Sequence, residues 1–181
     1  MKTIVISGSH SNIGKTSLIE EMLRSLKGWS ALKVTVKHAR RNPSSTINEK
    51  SRCPRQKSCG VCSEIKRDYT IVKDKKIINQ SETDTARMRK AGASRVIWLK
   101  ASIENLKNGL SKALDKLKDT EGVIIEGNSA MRYIKPDLAI YLKDHNFRVK
   151  PSAKYAAQKA DIIINVGKKS GNCSKTQGSI V

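Results

Sequence analysis

Aromatic residues and long apolar runs are both scarce in this chain. Aromatic side chains make up only 4% of the 181 residues, with a single Phe and four Tyr, so the core must come from Ile, Val and Leu. No stretch approaches the roughly 18 consecutive apolar residues of a membrane span. The apolar run after Met1 is short and continues directly into a glycine loop, which argues against a signal peptide. These absences predict a soluble, cytoplasmic protein.

Acidic residues are also few: 16 Asp and Glu stand against 36 Lys and Arg, for a formal charge of +20. Such a surface attracts anions, including nucleotides, phosphorylated metabolites, nucleic acids and acidic proteins. The basic residues are spread along the whole chain, which is equally typical of a lysine-rich solvated surface. The charge alone therefore does not decide between a specific polyanionic partner and a generally basic surface.

Apolar runs and helical periodicities alternate along the chain. Strands are predicted at 3–7, 32–36, 96–99, 123–126, 138–142 and 162–166. Helices are predicted from residue 18 to Gly28, from 81 to Gly92, along an apolar stripe at 103–117 that Ser102 can cap, and at 153–159. Strands that alternate with helices indicate an α/β protein whose mostly parallel sheet is covered on both faces.

The length suits a single domain, 1–181, in which residues 39–80 form an insertion. Its first part is polar and carries three cysteines. Residues 69–72 and 77–79 flank a charged turn, which predicts a small β-hairpin.

A phosphate-binding pattern lies between the first strand and the first helix. Gly14-Lys15-Thr16 follows a buried strand and opens an amphipathic helix, as in the Gly-x-x-x-x-Gly-Lys-Ser/Thr loop of P-loop proteins. In that loop, backbone N–H groups face the phosphates, the lysine reaches the β- and γ-phosphates, and the hydroxyl binds Mg²⁺. The predicted nucleotide-binding residues here are Asn12, Ile13, Gly14, Lys15, Thr16 and Ser17. Ser9 stands where the pattern has its first glycine, with Gly8 one place earlier.

A magnesium site also needs a carboxylate at a neighbouring strand end. Glu126 is the best candidate, because it follows three apolar residues and precedes Gly127 at the carboxyl end of a predicted strand, the edge where α/β sheets bind ligands. The alternative is an ordinary surface acid. Lys37 and His38 leave the second strand at the same edge. Asp84 and Arg87, three residues apart, form a simple helical ion pair unless another feature supports a functional role.

Three cysteines, Cys53, Cys59 and Cys62, have the spacing of metal ligands. A Cys-x-x-Cys pair lets both thiolates reach one tetrahedral ion, and disulfides are not expected without a secretory context. Zn²⁺ and an iron–sulfur cluster both suit such a set, with Cys173 or His38 as the fourth ligand. The alternative is three free thiols in a polar loop.

Four segments together resemble the molybdopterin-guanine dinucleotide biosynthesis protein B family, small P-loop proteins of the group that includes metal-insertion GTPases and partition ATPases. In chain order they are 6–18, 33–38, 84–93 and 124–127. The third segment, Asp-Thr-Ala-Arg-Met-Arg-Lys-Ala-Gly-Ala, is the most distinctive, because no generic P-loop protein requires it. With the intervening strands, the resemblance covers about two thirds of the chain.

The resemblance implies a three-layer P-loop NTPase fold, a homodimer, and GTP as the nucleotide. It also implies that Lys37, His38, Asp84, Arg87 and Glu126 belong to the nucleotide site, with Lys15, Asp84 and Glu126 in catalytic roles and Thr16 and Glu126 at the Mg²⁺. Two features depart from the family: residues 128–132 read Asn-Ser-Ala-Met-Arg in place of an aromatic-basic pair, and the cysteine insertion is additional. No Asn-Lys-x-Asp motif selects guanine, and Asn165 is only a weak substitute.

Several functions remain open. The first is an accessory GTPase, with slow intrinsic turnover, beside the enzyme that joins a guanine nucleotide to molybdopterin. The second is a nucleotide-dependent metal or metallocofactor insertion protein that uses the cysteine loop and acts on a metalloenzyme partner. A small-molecule kinase would use the same phosphate loop. A nucleic-acid-binding ATPase ranks last, because the sequence has no aromatic stacking motif.

Overall fold

The computed structural model describes residues 1–37, 69–146 and 151–167. The strands in these ranges are β1 (Lys2–Gly8), β2 (Ser30–Lys37), β3 (Tyr69–Val72), β4 (Val96–Ser102), β5 (Gly122–Glu126), β6 (Leu138–Lys143) and β7 (Ile162–Asn165). The helices are α1 (Lys15–Ser25), α2 (Lys75–Ile78), α3 (Asp84–Lys90), α4 (Leu106–Asp115) and α5 (Pro151–Gln158), with a 3₁₀ turn, η1 (Asn128–Arg132).

The seven strands form one sheet in the order β3-β4-β2-β5-β1-β6-β7. Every pairing is parallel except that of β3 with β4. The predicted mostly parallel sheet is therefore confirmed. Its central strands are mostly apolar, as expected for parallel strands buried on both faces, and all five residues of β5 are buried.

Two hydrophobic clusters lie on opposite faces of the sheet. One packs α1 and α3 against it through residues such as Ile19, Leu23 and Met88. The other packs α4 and α5 through residues such as Leu110 and Ala153. The described residues thus form helix, sheet and helix layers, as the alternation of strands and helices predicts.

The predicted hairpin at 69–79 is wrong in its second half. Tyr69–Val72 is a strand, but it pairs with β4 at the sheet edge. The next apolar pair lies in helix α2, because the Asp74 side chain caps that helix by accepting a hydrogen bond from Lys76 N at 2.8 Å. Ile78 is consequently buried against the sheet rather than paired in a strand.

The capping predictions had mixed outcomes. Thr83 caps α3, its hydroxyl accepting a hydrogen bond from Ala86 N, and Gly92 follows the helix with a positive φ, as predicted. Ser102 does not cap α4, because it is the last residue of β4. Asn105 takes the cap position instead, and the Ser102 hydroxyl accepts a hydrogen bond from Asn105 N.

Several predictions fall on residues outside the described ranges. They concern His38, most of the 39–80 insertion with Cys53, Cys59 and Cys62, and Cys173. Within the described ranges, no helix is long and apolar enough to cross a membrane.

Candidate functional site

The carboxyl ends of β1, β2 and β5 meet the first turns of α1 and α3 around an open cleft of about 460 Å³. Adjacent parallel strands bring their carboxyl ends to one sheet edge, and α/β proteins place their ligand sites there. Most of the sequence-predicted nucleotide residues line this cleft, and Ile13 is buried beneath the loop. β2 ends at Lys37, at the same edge.

The loop from Gly8 to Gly14 turns the chain from β1 into α1. Asn12 and Gly14 have positive φ values of 65° and 103°, and α1 begins at Lys15 directly after that turn. The N-cap residue Gly14 has no side chain to cover the first N–H groups of the helix. Those donors therefore face the cleft together with the positive end of the helix dipole.

The start of this loop is held by Asn128, from the turn that follows β5. Its side-chain carbonyl accepts a hydrogen bond from Gly8 N, and its amide donates one to Gly8 O, both at 2.9 Å. On the other side, Ser9 N donates to Leu142 O of β6 at 2.9 Å. Ser9, which departs from the P-loop pattern, is thus a buried link between loop and sheet.

Lys15 and Thr16 lie at the beginning of α1. The Lys15 ammonium donates a hydrogen bond to His10 O at 3.0 Å, which keeps its charge over the loop. The Thr16 hydroxyl donates to Asp84 Oδ1 at 3.1 Å and so joins α1 to the first residue of α3. The loop lysine and the helix hydroxyl therefore both contact polar groups that border the cleft.

Asp84 is shared between two donors. One carboxylate oxygen accepts from Thr16, and the other accepts from the ammonium of Lys33 on β2. Partial burial alone would raise the pKa of Asp84, but the hydrogen bond and charge of Lys33, with the Thr16 hydroxyl, hold it below the ordinary value of 3.8. Asp84 is therefore a carboxylate at neutral pH.

Glu126 is buried at the end of β5, with only 8% of its surface exposed, so it is not an ordinary surface acid. Its backbone neighbours across the sheet are Ile6 and Lys33. Gly127 follows with a φ of 150°, where a side chain would meet Val34. This glycine lets the chain turn away and leaves Glu126 facing the cleft.

Asp84 and Arg87 do not form the helical ion pair that their spacing favours. Arg87 instead makes two hydrogen bonds to Glu20 of α1, at 3.0 and 2.6 Å, and one to the Ser17 hydroxyl at 3.0 Å. The hydrogen bond to Glu20 raises the pKa of Arg87. Arg87 thus fastens α3 to α1 beside the cleft.

Comparison with protein-family models, with curated proteins and with solved structures finds no match for this chain.

The polar groups that line the cleft can bind a metal ion and an anion. A hydroxyl and two carboxylates, from Thr16, Asp84 and Glu126, are hard oxygen ligands of the kind that Mg²⁺ uses, usually with phosphates and water completing its shell. The Gly14 turn and the Lys15 ammonium provide donors and positive charge for an anion. Within the described ranges, no three His, Cys, Asp or Glu side chains are grouped as a metal site.

Two residues that line the cleft, Lys33 and Asn128, were not singled out by the sequence analysis. Lys33 had a detectable signal, because a lysine inside an apolar strand that is central in the sheet needs a partner. Asn128 was noticed only as a departure from a family pattern. Its bond to Gly8 joins residues 120 positions apart, and no local pattern reveals such a pairing.

Proposed function

We propose that this chain binds a nucleoside triphosphate with Mg²⁺ in the cleft, GTP ahead of ATP, and hydrolyses it slowly. The observation that carries the proposal is the convergence of Lys15, Thr16, Asp84 and Glu126 around one turn at the start of α1. Each of these residue types has a distinct task in phosphoryl chemistry, and their order along the chain matches that of P-loop proteins.

The phosphates would lie on the Gly14 turn. The first N–H groups of α1 donate to phosphate oxygens, and the helix dipole adds positive potential. Lys15 would leave His10 O for the β- and γ-phosphate oxygens, exchanging a neutral acceptor for a charged one. Because Asn128 holds Gly8 on one side and Leu142 holds Ser9 on the other, the start of the loop is held without any help from a nucleotide.

Thr16, Asp84 and Glu126 fit a magnesium ion that is bound together with the phosphates. Bound Mg²⁺ supplies charge neutralisation on the phosphates and lowers the pKa of its water ligands. The Thr16 hydroxyl would be a direct ligand, and the two carboxylates would accept hydrogen bonds from the ion's waters and orient them. Glu126, which is buried and close to the phosphate loop, would also position the attacking water.

The proposed cellular role is that of an accessory protein in the maturation of the molybdopterin-guanine dinucleotide cofactor. Its support is the resemblance of the segment 84–93, which contributes Asp84 to the cleft and Arg87 to the contact with α1. Under this role the chain would act beside a cofactor-synthesis enzyme and as a homodimer. The second candidate, metal or metallocofactor insertion, rests on the cysteine segment.

The experiment is a binding titration of GTP and ATP, each with Mg²⁺, against Lys15→Ala. We expect the triphosphate dissociation constant to rise by about a hundredfold, because the variant lacks the charge-assisted hydrogen bonds from Lys15 to the phosphates. Lys27→Ala removes an exposed lysine just after α1 and should bind as the wild type does. Equal affinity in the wild type, Lys15→Ala and Lys27→Ala would overturn the assignment of the cleft.

A further inference from the structure

Lys33 carries its positive charge at a largely buried position. It lies on β2, between β4 and β5, with Trp98 and Glu126 as its register partners. Only 17% of its side chain is exposed. Removing an ammonium group from water to this extent is unfavourable unless a charged partner compensates. A lysine at the centre of a parallel sheet therefore needs an explanation beyond surface charge.

The partner of Lys33 is the cleft carboxylate itself. Its ammonium donates to Asp84 Oδ2, while the Thr16 hydroxyl donates to Asp84 Oδ1 at 3.1 Å. The ammonium and the hydroxyl are therefore separated by the width of one carboxylate group. Under the proposed function, that hydroxyl is a magnesium ligand. Lys33 thus holds its charge within the space that a hydrated divalent ion would require.

We infer that the Lys33 ammonium is an internal counter-cation, which neutralises Asp84 in the metal-free protein and is displaced when a hydrated divalent ion enters the cleft. This inference rests on the proposed function. Mg²⁺ keeps its oxygen ligands at about 2.1 Å and retains several waters, so its hydration shell reaches the carboxylate oxygens nearby. The shell and the ammonium cannot both occupy that position, and the two like charges repel at this distance.

The ammonium of Lys33 has room inside the cleft after it leaves Asp84. This ammonium lies 6.0 Å from the centre of the Trp98 ring. That ring is held by a hydrogen bond from its Nε1 to the Thr35 hydroxyl at 2.9 Å. The Lys100 ammonium lies over the same ring, 3.9 Å from its centre. Lys33 also lines the cleft. A displaced ammonium therefore remains in the cleft, where the phosphate oxygens are the new anions. Lys33 would then act in turn on the carboxylate and on the nucleotide.

A purely structural ion pair between β2 and α3 is the competing explanation, and it makes a different prediction. A structural pair predicts that loss of the Lys33 charge lowers stability, and that the Lys33 amine stays paired with Asp84 when a divalent ion is added. Displacement predicts that the same loss strengthens divalent-ion binding, because a competing cation is removed while both carboxylates remain.

The test measures Mn²⁺ binding to the nucleotide-free protein by electron paramagnetic resonance. Lys33→Met keeps the length and apolar stem of the side chain and removes its charge. We expect its Mn²⁺ dissociation constant to fall at least about tenfold below that of the wild type. Lys112→Met removes the same charge from an exposed position on α4, against the opposite face, and should leave the constant unchanged. Equal Mn²⁺ constants in the wild type and Lys33→Met would overturn the inference.

A measurement on the unsubstituted protein covers the case in which Lys33→Met does not fold. Acetylation of Lys33 by acetic anhydride, followed by peptide mass spectrometry, should accelerate at least about threefold when Mn²⁺ is added, since the ion pair that protects the amine is broken. Lys112 serves as the internal reference. A Lys33 rate that is insensitive to Mn²⁺ would contradict displacement. Neither measurement contains nucleotide, so failure of the proposed function would be seen separately, as absence of triphosphate binding in the wild type.

Discussion

Thr16 and Asp84 are 68 residues apart in the chain, yet the hydroxyl of one donates a hydrogen bond to the carboxylate of the other at 3.1 Å. This bond joins the first turns of α1 and α3. Because Lys33 of β2 binds the second oxygen of the same carboxylate, a single side chain connects two helices and the sheet. The cleft therefore depends on Asp84 for its shape as well as for its charge.

Replacement of Asp84 by Asn should weaken this junction. The amide keeps the size of the side chain but removes the charge that Lys33 and Thr16 bind. We expect the free energy of unfolding at pH 7 to fall by about 1–2 kcal/mol, the range for a hydrogen bond to a charged group that is only partly buried. Urea denaturation measures the change. Asp115→Asn, an exposed substitution at the end of α4, should change stability by less than about 0.5 kcal/mol.

The pH dependence of the Asp84→Asn effect follows from the lowered pKa of Asp84. Such a carboxyl stabilises the folded state above its ordinary pKa of 3.8 and loses that contribution as the pH falls through its folded-state value. The stability difference between wild type and Asp84→Asn should thus hold from neutral pH to about pH 4 and shrink below it. A difference that grows on acidification would contradict this account.

Gly127→Ala should destabilise the turn after Glu126. The φ of Gly127 is 150°, and an added Cβ would lie 3.1 Å from both the Cβ and the carbonyl oxygen of Val34. The positive φ and the close contact with Val34 together should lower the free energy of unfolding by about 1–3 kcal/mol. Gly167→Ala is the matched control, because its Cβ would meet nothing within 4 Å. Thermal and urea denaturation of the two variants in parallel should rank Gly127→Ala well below Gly167→Ala; equal stabilities would show that β2 moves aside easily.

Glu126→Gln should separate binding from turnover. The amide fits the same buried position but lacks the charge that orients magnesium-bound water, so triphosphate affinity should stay within about threefold of the wild type. The rate of Mg²⁺-dependent hydrolysis should fall at least about tenfold, a change of roughly 1.4 kcal/mol in the barrier. Phosphate release at saturating nucleotide measures it, with the exposed Glu121→Gln as control. Hydrolysis at the wild-type rate at every Mg²⁺ concentration would remove Glu126 from the mechanism.

Combined replacement of Cys53, Cys59 and Cys62 by Ser should abolish metal binding at the cysteine segment. A polar segment buries too little apolar surface to offset the entropy of ordering, whereas ligand bonds to one ion can provide on the order of 10 kcal/mol. Elemental analysis of anaerobically purified protein should find one Zn²⁺ or one iron–sulfur cluster per chain, and none in the triple variant. Limited proteolysis should cut the variant faster. Wild-type protein that contains no metal and is cut at the same rate would end this hypothesis.

Much of the fold could be predicted from the sequence, because its signals are local. The apolar runs of β1 and β5 are long enough to identify strands buried on both faces, and Gly14-Lys15-Thr16 marks the turn into α1. The hairpin prediction failed because Ile77 and Ile78 suit a short strand as well as a helix. The deciding contact is the cap that Asp74 provides, and a single aspartate before a lysine pair is a weak signal.

The candidate site was predicted only in part, because several of its contacts connect distant positions. Glu126 could be found from its place at a strand end. The partners of Asp84 and Arg87 could not, since Lys33 and Glu20 come close only after β2 and α1 have packed against α3. The spacing of Asp84 and Arg87 favours an ion pair within the helix, but in the structure Asp84 binds Lys33 and Arg87 binds Glu20.

The antiparallel direction of β3 determines where the residues between it and β2 are attached. β2 ends at Lys37, opposite Ser102 at the end of β4, and β3 begins at Tyr69, opposite Ala101. Both attachment points therefore lie at the carboxyl edge of the sheet, the edge that also carries the cleft, whereas a parallel β3 would have begun at the far edge. The span that contains Cys53, Cys59 and Cys62 is therefore joined to the described sheet, at both of its ends, on that same edge.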